Sequence, residues 1–433
     1  MFSLSINSEV TILLQLAIAL MAGLLMSRIA KLIHLPAVTA YLAAGILIGP
    51  SVLGLLFEHI GVSGVFFNTA ENVSHYKIIC DAALGFIAFS IGNEFRVSEL
   101  RHVGRQAIVV SICEALTATI LVDTVLLLCR ALFWPDLPLY VCLVLGAIAA
   151  ATAPAATLMV VRQYKAEGPV TRILLPVVAL DDAIGLIIFA VSFGVASTME
   201  TGHLDVLAMV LNPILEILLS LLLGALMGFL FSWCERLFES RSKRLAISVT
   251  FVLLTVAFSM VSIPVGRVTV SFSPLLVCMM LGTVFCNVCD FSEELMQRCE
   301  RWATPVLVLF FVLSGAELDF SVFASGVVIL LGLIYIFTRS TGKMLGAGLG
   351  SSLMKCDPSV RRYLGVTLLP QAGVALGMSL QAKALGSGDL IRNITLMGVL
   401  IYELFGPLMT RLALLKAGEI KPENRTSSRG KAV

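Results

Sequence analysis

Two adjacent aspartates, Asp181 and Asp182, lie in the middle of a long apolar run. The surrounding segment, Ile173 to Ser197, contains no other charged residue and is long enough to cross a bilayer as a helix. An acid at the centre of such a helix costs about 2.5–3.5 kcal/mol on insertion scales, so it is read as a functional site by default. We therefore predict an ion site. The alternative is a structural pair held by hydrogen bonds from neighbouring helices.

Asp182 is the predicted ion carrier. Oxygen ligands suit alkali cations, whereas soft metals favour Cys or His, and no histidine lies at the centre of an apolar segment. A desolvated carboxylate also binds a proton more tightly than one in water. Asp182 can then hold a monovalent cation or a proton, but not both. Thr152 and Thr157 are candidate hydroxyl ligands, and no cofactor is predicted.

A balancing positive charge is expected, because two buried carboxylates repel each other. Arg339 and Lys343 are the basic residues that fall inside an apolar segment, and their spacing of four places them on one face of a helix. We predict that Arg339 pairs with Asp181. The alternative is that both basic residues form a positively charged flank at the cytoplasmic end of their segment.

Three further polar residues in apolar segments are weaker site candidates. Glu114 would pair with Arg339 or join a proton path. Glu403 would lie opposite Asp182 in the internal repeat described below. Gln371 would orient the site.

The composition excludes an ordinary soluble domain. Of 433 residues, 58% are hydrophobic and 13% charged, and the mean hydropathy is +0.98. These values indicate an all-α polytopic membrane protein, and long apolar segments without alternation disfavour a β-barrel. No nucleophile–base set or phosphate loop suggests an enzyme. The ten cysteines lack paired metal spacing, and the net charge of +2 gives no indication of nucleic acid.

About thirteen membrane spans are predicted within residues 1–412. Most of the 30 lysines and arginines would be cytoplasmic if the N-terminus is outside, and residues 413–433 would form a short, basic, solvated cytoplasmic tail. The predicted spans are 9–30, 36–57, 76–95, 106–131, 138–161, 173–197, 207–232, 245–264, 270–288, 303–317, 322–348, 363–382 and 390–412.

A short internal similarity predicts an inverted repeat. The third span ends in a Gly-x-Glu motif at Gly92–Glu94 and the tenth in another at Gly315–Glu317. The third span would end on the cytoplasmic side and the tenth on the outer side of the membrane. Spans 1–6 would then match spans 8–13 with inverted topology, and span 7 would connect them. Secondary transporters commonly have this architecture, with the site where the repeats meet. The alternative is a chance similarity.

The repeat requires spans 5 and 12 to correspond, and both contain a helix-breaking centre. Pro154 interrupts span 5, and Pro370 with Gly373 interrupts span 12. Broken helices are tolerated at membrane depth where the freed backbone is buried in protein or lines a wet cavity. We predict two crossing broken helices at the site. The alternative is a pair of simple proline kinks.

Several segments resemble one transporter superfamily. His34–Tyr41 and Ala44–Gly54 resemble the second-span signature of the monovalent cation/proton antiporter superfamily, in the branch of bacterial sodium/proton antiporters and potassium-efflux systems. Residues 89–94, 152–154, 181–182 and 339–342 follow in the order expected for that superfamily. The resemblance covers about residues 10–412.

The resemblance implies a homodimer in the inner membrane that works by elevator-type alternating access. A mobile core of spans 4–6 (residues 106–197) and 11–13 (residues 322–412) would move past a dimerisation scaffold. Asp182 matches the carrier of cation and proton, Asp181 matches a neighbour that pairs with a basic residue, and Thr152 matches the unwound site of the crossing helix.

The chain also departs from the superfamily pattern. The basic partner is commonly a lysine, and here the matching position is Arg339, which keeps its proton at any relevant pH. The aspartate pair resembles electrogenic members, but an arginine favours one proton per cation unless Lys343 reaches the site. We predict a sodium/proton antiporter, with K⁺ and Li⁺ open. The alternatives are a sodium-coupled symporter and a passive cation channel.

Overall fold

Helices make up most of the described chain. The computed structural model describes residues 8–32, 35–50, 52–59, 66–67, 73, 75–93, 95, 97–201, 206–238, 240–261, 263–265, 268–289, 292–317 and 325–421. His34, Ser51 and Glu94 of the predicted motifs lie outside these residues.

The helices of the first half of the chain are α1 (Ser8–Leu32), α2 (Ala37–Ile48), α3 (Leu53–His59), α4 (Lys77–Gly92), α5 (Val97–Leu132), α6 (Leu139–Ala149), α7 (Pro154–Tyr164), α8 (Pro169–Thr201) and α9 (Val206–Glu235). The second half contains α10 (Arg241–Ser259), β1 (Ile263–Val265), β2 (Val268–Val270), α11 (Pro274–Val288), α12 (Ser292–Ala316), α13 (Gly326–Leu353), α14 (Pro358–Thr367), α15 (Gly373–Gln381), a 3₁₀ turn (Ala382–Ala384) and α16 (Gly388–Lys416).

Each predicted span coincides with one helix or with two consecutive helices. Within the described ranges, nine helical segments are long and apolar enough to cross a membrane, and α2 and α11 are shorter apolar helices. These segments identify an integral membrane protein, while the count of thirteen crossings stays a prediction. The helices α5 and α12 begin well before the predicted spans. The first turn of α12 contains Glu293 and Glu294, which the helix dipole favours there.

Two local features were not predicted. Within the second predicted span, α2 ends at Ile48 and α3 begins at Leu53, and Pro50 between them removes a backbone donor and restricts the preceding residue. Between α10 and α11 the chain also forms a two-stranded antiparallel hairpin, β1–β2. The β-branched residues at both ends of this hairpin favour strand over helix.

The predicted breaks in spans 5 and 12 are present. Residues 150–153 separate α6 from α7, and residues 368–372 separate α14 from α15. Pro154 is the first residue of α7, a position where its missing N–H costs no helical hydrogen bond. The residue before it, Ala153, is extended with φ −89° and ψ 106°, as proline requires of its predecessor. We call residues 150–153 the first break and residues 368–372 the second break.

Two helix crossings have the same glycine geometry. Gly45 of α2 faces Gly315 of α12, and Gly282 of α11 faces Gly92 of α4. A Cβ atom built on any of the four would overlap with a carbonyl oxygen of the facing helix. In every case that carbonyl belongs to the residue three positions before the opposite glycine. The backbones therefore touch at both crossings, and the α2–α12 contact is repeated by α11–α4.

The helices pack in two groups. The helices α5–α8 and α13–α16 contact mostly one another, and the pairing of α5 with α13 is the most extensive. We call this group the crossing bundle, because it contains both breaks. The helices α1, α2, α4 and α9–α12 pack on one another, and we call them the flanking bundle. The bundles meet where α7 contacts α2 and α4, where α16 contacts α2, and where α9 follows α8. An ion pair between α7 and α12 also crosses between them.

The prediction of a solvated tail is wrong for the residues just after α16. The side chains of Glu419 and Ile420 are buried, and Ile420 packs in an apolar cluster with Tyr164 and Val170. Gly418 has a φ of +78°, a backbone conformation that suits glycine. The chain therefore turns after α16 and docks on the connection between α7 and α8.

Candidate ion-binding site

The two breaks cross each other in the middle of the crossing bundle. The backbone N–H of Ala153 in the first break donates to the carbonyl of Pro370 in the second, at 2.8 Å. The Thr157 hydroxyl lies 3.3 Å from the Ala153 carbonyl and 3.4 Å from that of Thr367, the last residue of α14. The backbone groups that the breaks release are thus partly satisfied by each other.

Side chains satisfy the remaining carbonyls at the end of α6. The last carbonyls of a helix have no intrahelical donor and carry the negative end of its dipole. Four consecutive carbonyls here accept hydrogen bonds from side chains: Ile148 from Gln371 at 2.9 Å, Ala149 from Arg339 at 3.0 Å, Ala150 from Lys343 at 2.6 Å and Ala151 from Arg339 at 2.6 Å. Gln371 thus donates to the end of α6, while its role in orienting the ion site stays a prediction.

Arg339 does not pair with Asp181 or Glu114, and those predictions are wrong. Its guanidinium donates to Ala149 and Ala151 and also to the carbonyl of Leu369 in the second break, at 2.8 Å. It lies 4.5 Å from the centre of the Tyr402 ring and is completely buried. The planar, forked guanidinium can reach carbonyls of both breaks at once. Arg339 therefore joins the two breaks and is not a cytoplasmic flank.

Lys343 is the basic residue beside the carboxylates. Its ammonium lies 2.7 Å from a Glu114 carboxylate oxygen and 3.6 Å from one of Asp181. It donates to the Ala150 carbonyl at 2.6 Å and to the Thr152 hydroxyl at 2.8 Å. Lys343, Glu114 and Asp181 are all fully buried. Lys343 thus takes the role that was predicted for Arg339.

The two aspartates differ in their surroundings. Asp181 accepts hydrogen bonds from the Ser111 hydroxyl at 2.5 Å and from the Thr152 hydroxyl at 2.8 Å. Asp182 is only 2% exposed, and neither of its carboxylate oxygens has a hydrogen-bond partner among the residues that the structure describes. A buried polar group without a partner is costly. Of the three carboxylates around the breaks, Asp182 is therefore the one with no partner for either oxygen among the described residues.

No hydrogen bond or ion pair joins the Glu403 side chain to this network among the described residues. It is buried on α16, but the next residue, Leu404, accepts a hydrogen bond from Thr39 of α2 through its carbonyl, at 3.4 Å. One side of this stretch of α16 therefore lies against the flanking bundle, while Tyr402 and Gly406 lie against Arg339 and Pro370 of the crossing bundle. A position of Glu403 opposite Asp182 stays a prediction.

Three residues of the network were not predicted. Ser111 bonds to Asp181, Tyr335 bonds to Gln371 at 2.9 Å, and Tyr402 covers Arg339. Spacing could have indicated two of them, because Ser111 precedes Glu114 by three residues and Tyr335 precedes Arg339 by four. Tyr402 lies on another helix, and no local spacing indicates it.

The charges of this network do not balance. Around the breaks, the described side chains include three carboxylates, Glu114, Asp181 and Asp182, and two basic groups, Arg339 and Lys343. One negative charge is left over when all five are ionised. A single monovalent cation or a single proton would neutralise it. In the described part of the chain, no group of three or more His, Cys, Asp and Glu residues has the arrangement of a metal site.

The buried charges, the crossed breaks and the apolar helices define an integral membrane transporter. Residues 16–416 match the family model described as "Sodium/hydrogen exchanger, transmembrane". The chain belongs to this sodium/hydrogen exchanger family, so the predicted membership of the cation/proton antiporter superfamily is confirmed.

The fold is similar to solved structures of the sodium proton antiporter MjNhaP1 from Methanocaldococcus jannaschii. A structure at pH 8 is 19% identical in sequence, with a TM-score of 0.61, covering 93% of this chain and 95% of that one. An electron-microscopy structure is 18% identical, with a TM-score of 0.74, covering 96% and 100%. No curated protein sequence matches the chain. At these identities the likeness concerns the fold.

Proposed function

We propose that this protein exchanges a monovalent cation, with Na⁺ as the first candidate, for protons across the plasma membrane, and that Asp182 carries both. The observation that carries the proposal is the missing partner of Asp182 in a network where Asp181 is fully bonded. A buried carboxylate without a partner is an energetic cost. Binding a cation or a proton removes that cost.

Competition at one charge couples the two fluxes. The network has one unbalanced negative charge, so a bound cation and a bound proton are alternative ways to neutralise it. Asp182 would supply the charged ligand for a hard cation, with water completing the oxygen shell. The Thr152 hydroxyl already donates to Asp181 and accepts from Lys343. Its role in this proposal is to fix the geometry of those two residues.

We propose a stoichiometry of one proton per cation. A lysine ammonium has three donors, and those of Lys343 are taken by Glu114, the Ala150 carbonyl and Thr152. Loss of one proton would leave a buried acceptor without a donor, which costs about 1–3 kcal/mol. Lys343 reaches the site, but its contacts favour a fixed ammonium over a proton that leaves in each cycle. The exchange would then be electroneutral.

Alternating access would move the crossing bundle past the flanking bundle, as an elevator does. The separation of helix contacts into these two groups supports this division. The repeated glycine crossings, α2–α12 and α11–α4, support an inverted repeat, because spans 2 and 10 of one crossing correspond to spans 9 and 3 of the other. We further propose that the protein is a homodimer with its N-terminus outside and its C-terminus in the cytoplasm.

Proton flux into proteoliposomes tests this proposal. Purified protein would be reconstituted with an internal pH dye, and Na⁺, K⁺ or Li⁺ would be added with the membrane potential clamped or free. We expect a cation-driven pH change that is absent in Asp182→Asn and independent of the potential. A dependence on potential would overturn the one-to-one stoichiometry. Tracer cation movement without pH change would indicate a channel, and uptake of an organic solute driven by Na⁺ would indicate a symporter.

A further inference from the structure

We propose that Glu419, just beyond the last helix, is a positioning residue for α8, the helix that carries Asp181 and Asp182. One carboxylate oxygen of Glu419 accepts from the backbone N–H of Val170 at 2.5 Å. The other accepts from the backbone N–H of Thr171 at 2.9 Å and from its hydroxyl at 2.6 Å. A residue distant in sequence thus caps the first turn of the ion-carrying helix.

The cap is built into the fold. Glu419 is only 4% exposed, and its backbone carbonyl accepts from the N–H of Glu167 at 3.0 Å. A Cβ atom on Gly168 would collide with the Glu419 carboxyl group, so glycine leaves the room that the carboxylate occupies. Ile420 anchors the same turn in the apolar cluster with Val170. Three hydrogen bonds to α8, a fourth to the connection before it and a buried anchor therefore hold this segment in place.

Helix physics explains why a carboxylate is found here. The first four N–H groups of a helix have no intrahelical acceptor, and the dipole places partial positive charge at that end. Pro169 begins α8 and has no side chain that could serve as a cap. Glu419 supplies both the acceptors and the negative charge. Without it, three buried donors of Val170 and Thr171 would lose their acceptor.

The cap can act on the ion site because a helix transmits its position along its axis. Asp181 lies 11 residues after Val170, or about 17 Å along α8. The hydrogen bonds from Ser111 on α5 and Thr152 in the first break to Asp181 are short, so they depend on where α8 sits. This inference rests on the proposed role of Asp182 as carrier.

The test compares Glu419→Ala, Glu419→Gln and Glu419→Asp with two matched controls. Glu167→Gln removes an exposed negative charge from the same connection, and a chain ending at Ile420 removes the remaining tail but keeps the cap. Exchange would be measured in proteoliposomes as a function of cation concentration and pH, together with thermal unfolding in detergent. The full-length protein provides the reference.

We expect Glu419→Ala to raise the half-saturating cation concentration by up to about fivefold, the change that follows if the whole free energy of a typical cap reaches the ion site, and to shift the pH profile. Glu419→Gln should give an intermediate shift, Glu419→Asp should recover part of the loss, and both controls should match the full-length protein. Unchanged cation dependence and pH profile in Glu419→Ala, even with lower thermal stability, would overturn the inference. If that variant does not fold, Glu419→Gln decides by the same criterion. Absence of exchange in the full-length protein would instead contradict the proposed function.

Discussion

Two buried carboxylates associated with α8 have opposite surroundings. Glu419 is 4% exposed and accepts three hydrogen bonds at the N-terminus of the helix, where the dipole also favours it. Asp182, in the middle of the helix, is 2% exposed, and both of its oxygens lack a hydrogen-bond partner in the described chain. The same chemical group is fully satisfied at one position and unsatisfied at the other.

The difference separates a structural carboxylate from one that is free to bind a substrate. A carboxylate with permanent hydrogen-bond donors is already stabilised, so binding an ion in place of those donors would not lower its free energy further. A buried carboxylate without donors raises the free energy of the empty site, and a bound proton or cation lowers it again. Replacing the carboxylate by a neutral amide should therefore lower the stability of the protein at Glu419 and leave it unchanged or raise it at Asp182.

The largest effect is expected for Asp182→Asn. Exchange should fall to background, because the amide cannot carry the charge that a proton or cation neutralises. Thermal stability in detergent should be unchanged or higher, since an unpaired buried charge is removed. Asp181→Asn is the matched comparison, and it should lower the unfolding temperature, because Asp181 has two donors and an ion pair with Lys343. Full exchange activity in Asp182→Asn would contradict the assignment.

Lys343→Ala should be the most destabilising substitution. It leaves Glu114 and Asp181 buried without their basic partner, and breaking a buried pair in this way costs about 3–5 kcal/mol of unfolding free energy. Glu114→Gln combined with Lys343→Ala should restore part of that stability, because the carboxylate that lay closest to the lost ammonium is then replaced by a neutral amide. Denaturant or thermal unfolding of the single and double variants measures this. Equal stability of Lys343→Ala and the double variant would show that the 2.7 Å contact with Glu114 is not the main one.

Arg339→Lys should destabilise the protein less and leave ion selectivity unchanged. A lysine cannot reach the carbonyls of Ala149, Ala151 and Leu369 with the geometry of a guanidinium, and each buried carbonyl left without a donor costs about 1–3 kcal/mol. Arg339 contacts carbonyls and a tyrosine ring but not the aspartates. Thermal unfolding and the relative exchange rates with Na⁺, K⁺ and Li⁺ test this. Altered selectivity with unchanged stability would place Arg339 at the ion.

The sequence was informative where a pattern reflects a local physical need. The buried aspartate pair, the breaks at Pro154 and Pro370, and the helical membrane fold all follow from burial cost and proline geometry. The spacing of Arg339 and Lys343 correctly placed them on one helix face. The spacing could not show which of the two contacts Asp181. That depends on how α13 packs against α5 and the first break, which a local pattern does not contain.

The docked tail shows the same limit more clearly. Glu419 follows a glycine in a polar stretch that is typical of a solvated end. Its burial depends on the free N–H groups of α8 and on the space beside Gly168, both of which come from a segment about 250 residues earlier in the chain. A pattern of residues close together in the sequence cannot predict such a long-range contact.

The smallest effect is expected at a third carboxylate, Glu300 of α12, which joins the two bundles. It pairs with Arg162 of α7 at 2.8 Å, and the two side chains are 33% and 25% exposed. Water screens such a pair, so a double-mutant cycle of Arg162→Gln and Glu300→Gln should give a coupling free energy below about 1 kcal/mol. The corresponding cycle for Lys343 and Glu114, which are fully buried, should exceed it severalfold.

The Arg162–Glu300 pair also lies where the proposed movement of the crossing bundle would have to break it. A weak coupling is consistent with a contact that breaks in each cycle, and we expect either substitution to change the initial exchange rate by no more than about fivefold, which corresponds to about 1 kcal/mol. Arg298→Gln is the control, because Arg298 pairs with Glu294 inside α12 and joins no two bundles. A coupling as large as that of Lys343 and Glu114 would mean that the bundles are held together at this point, which argues against an elevator movement there.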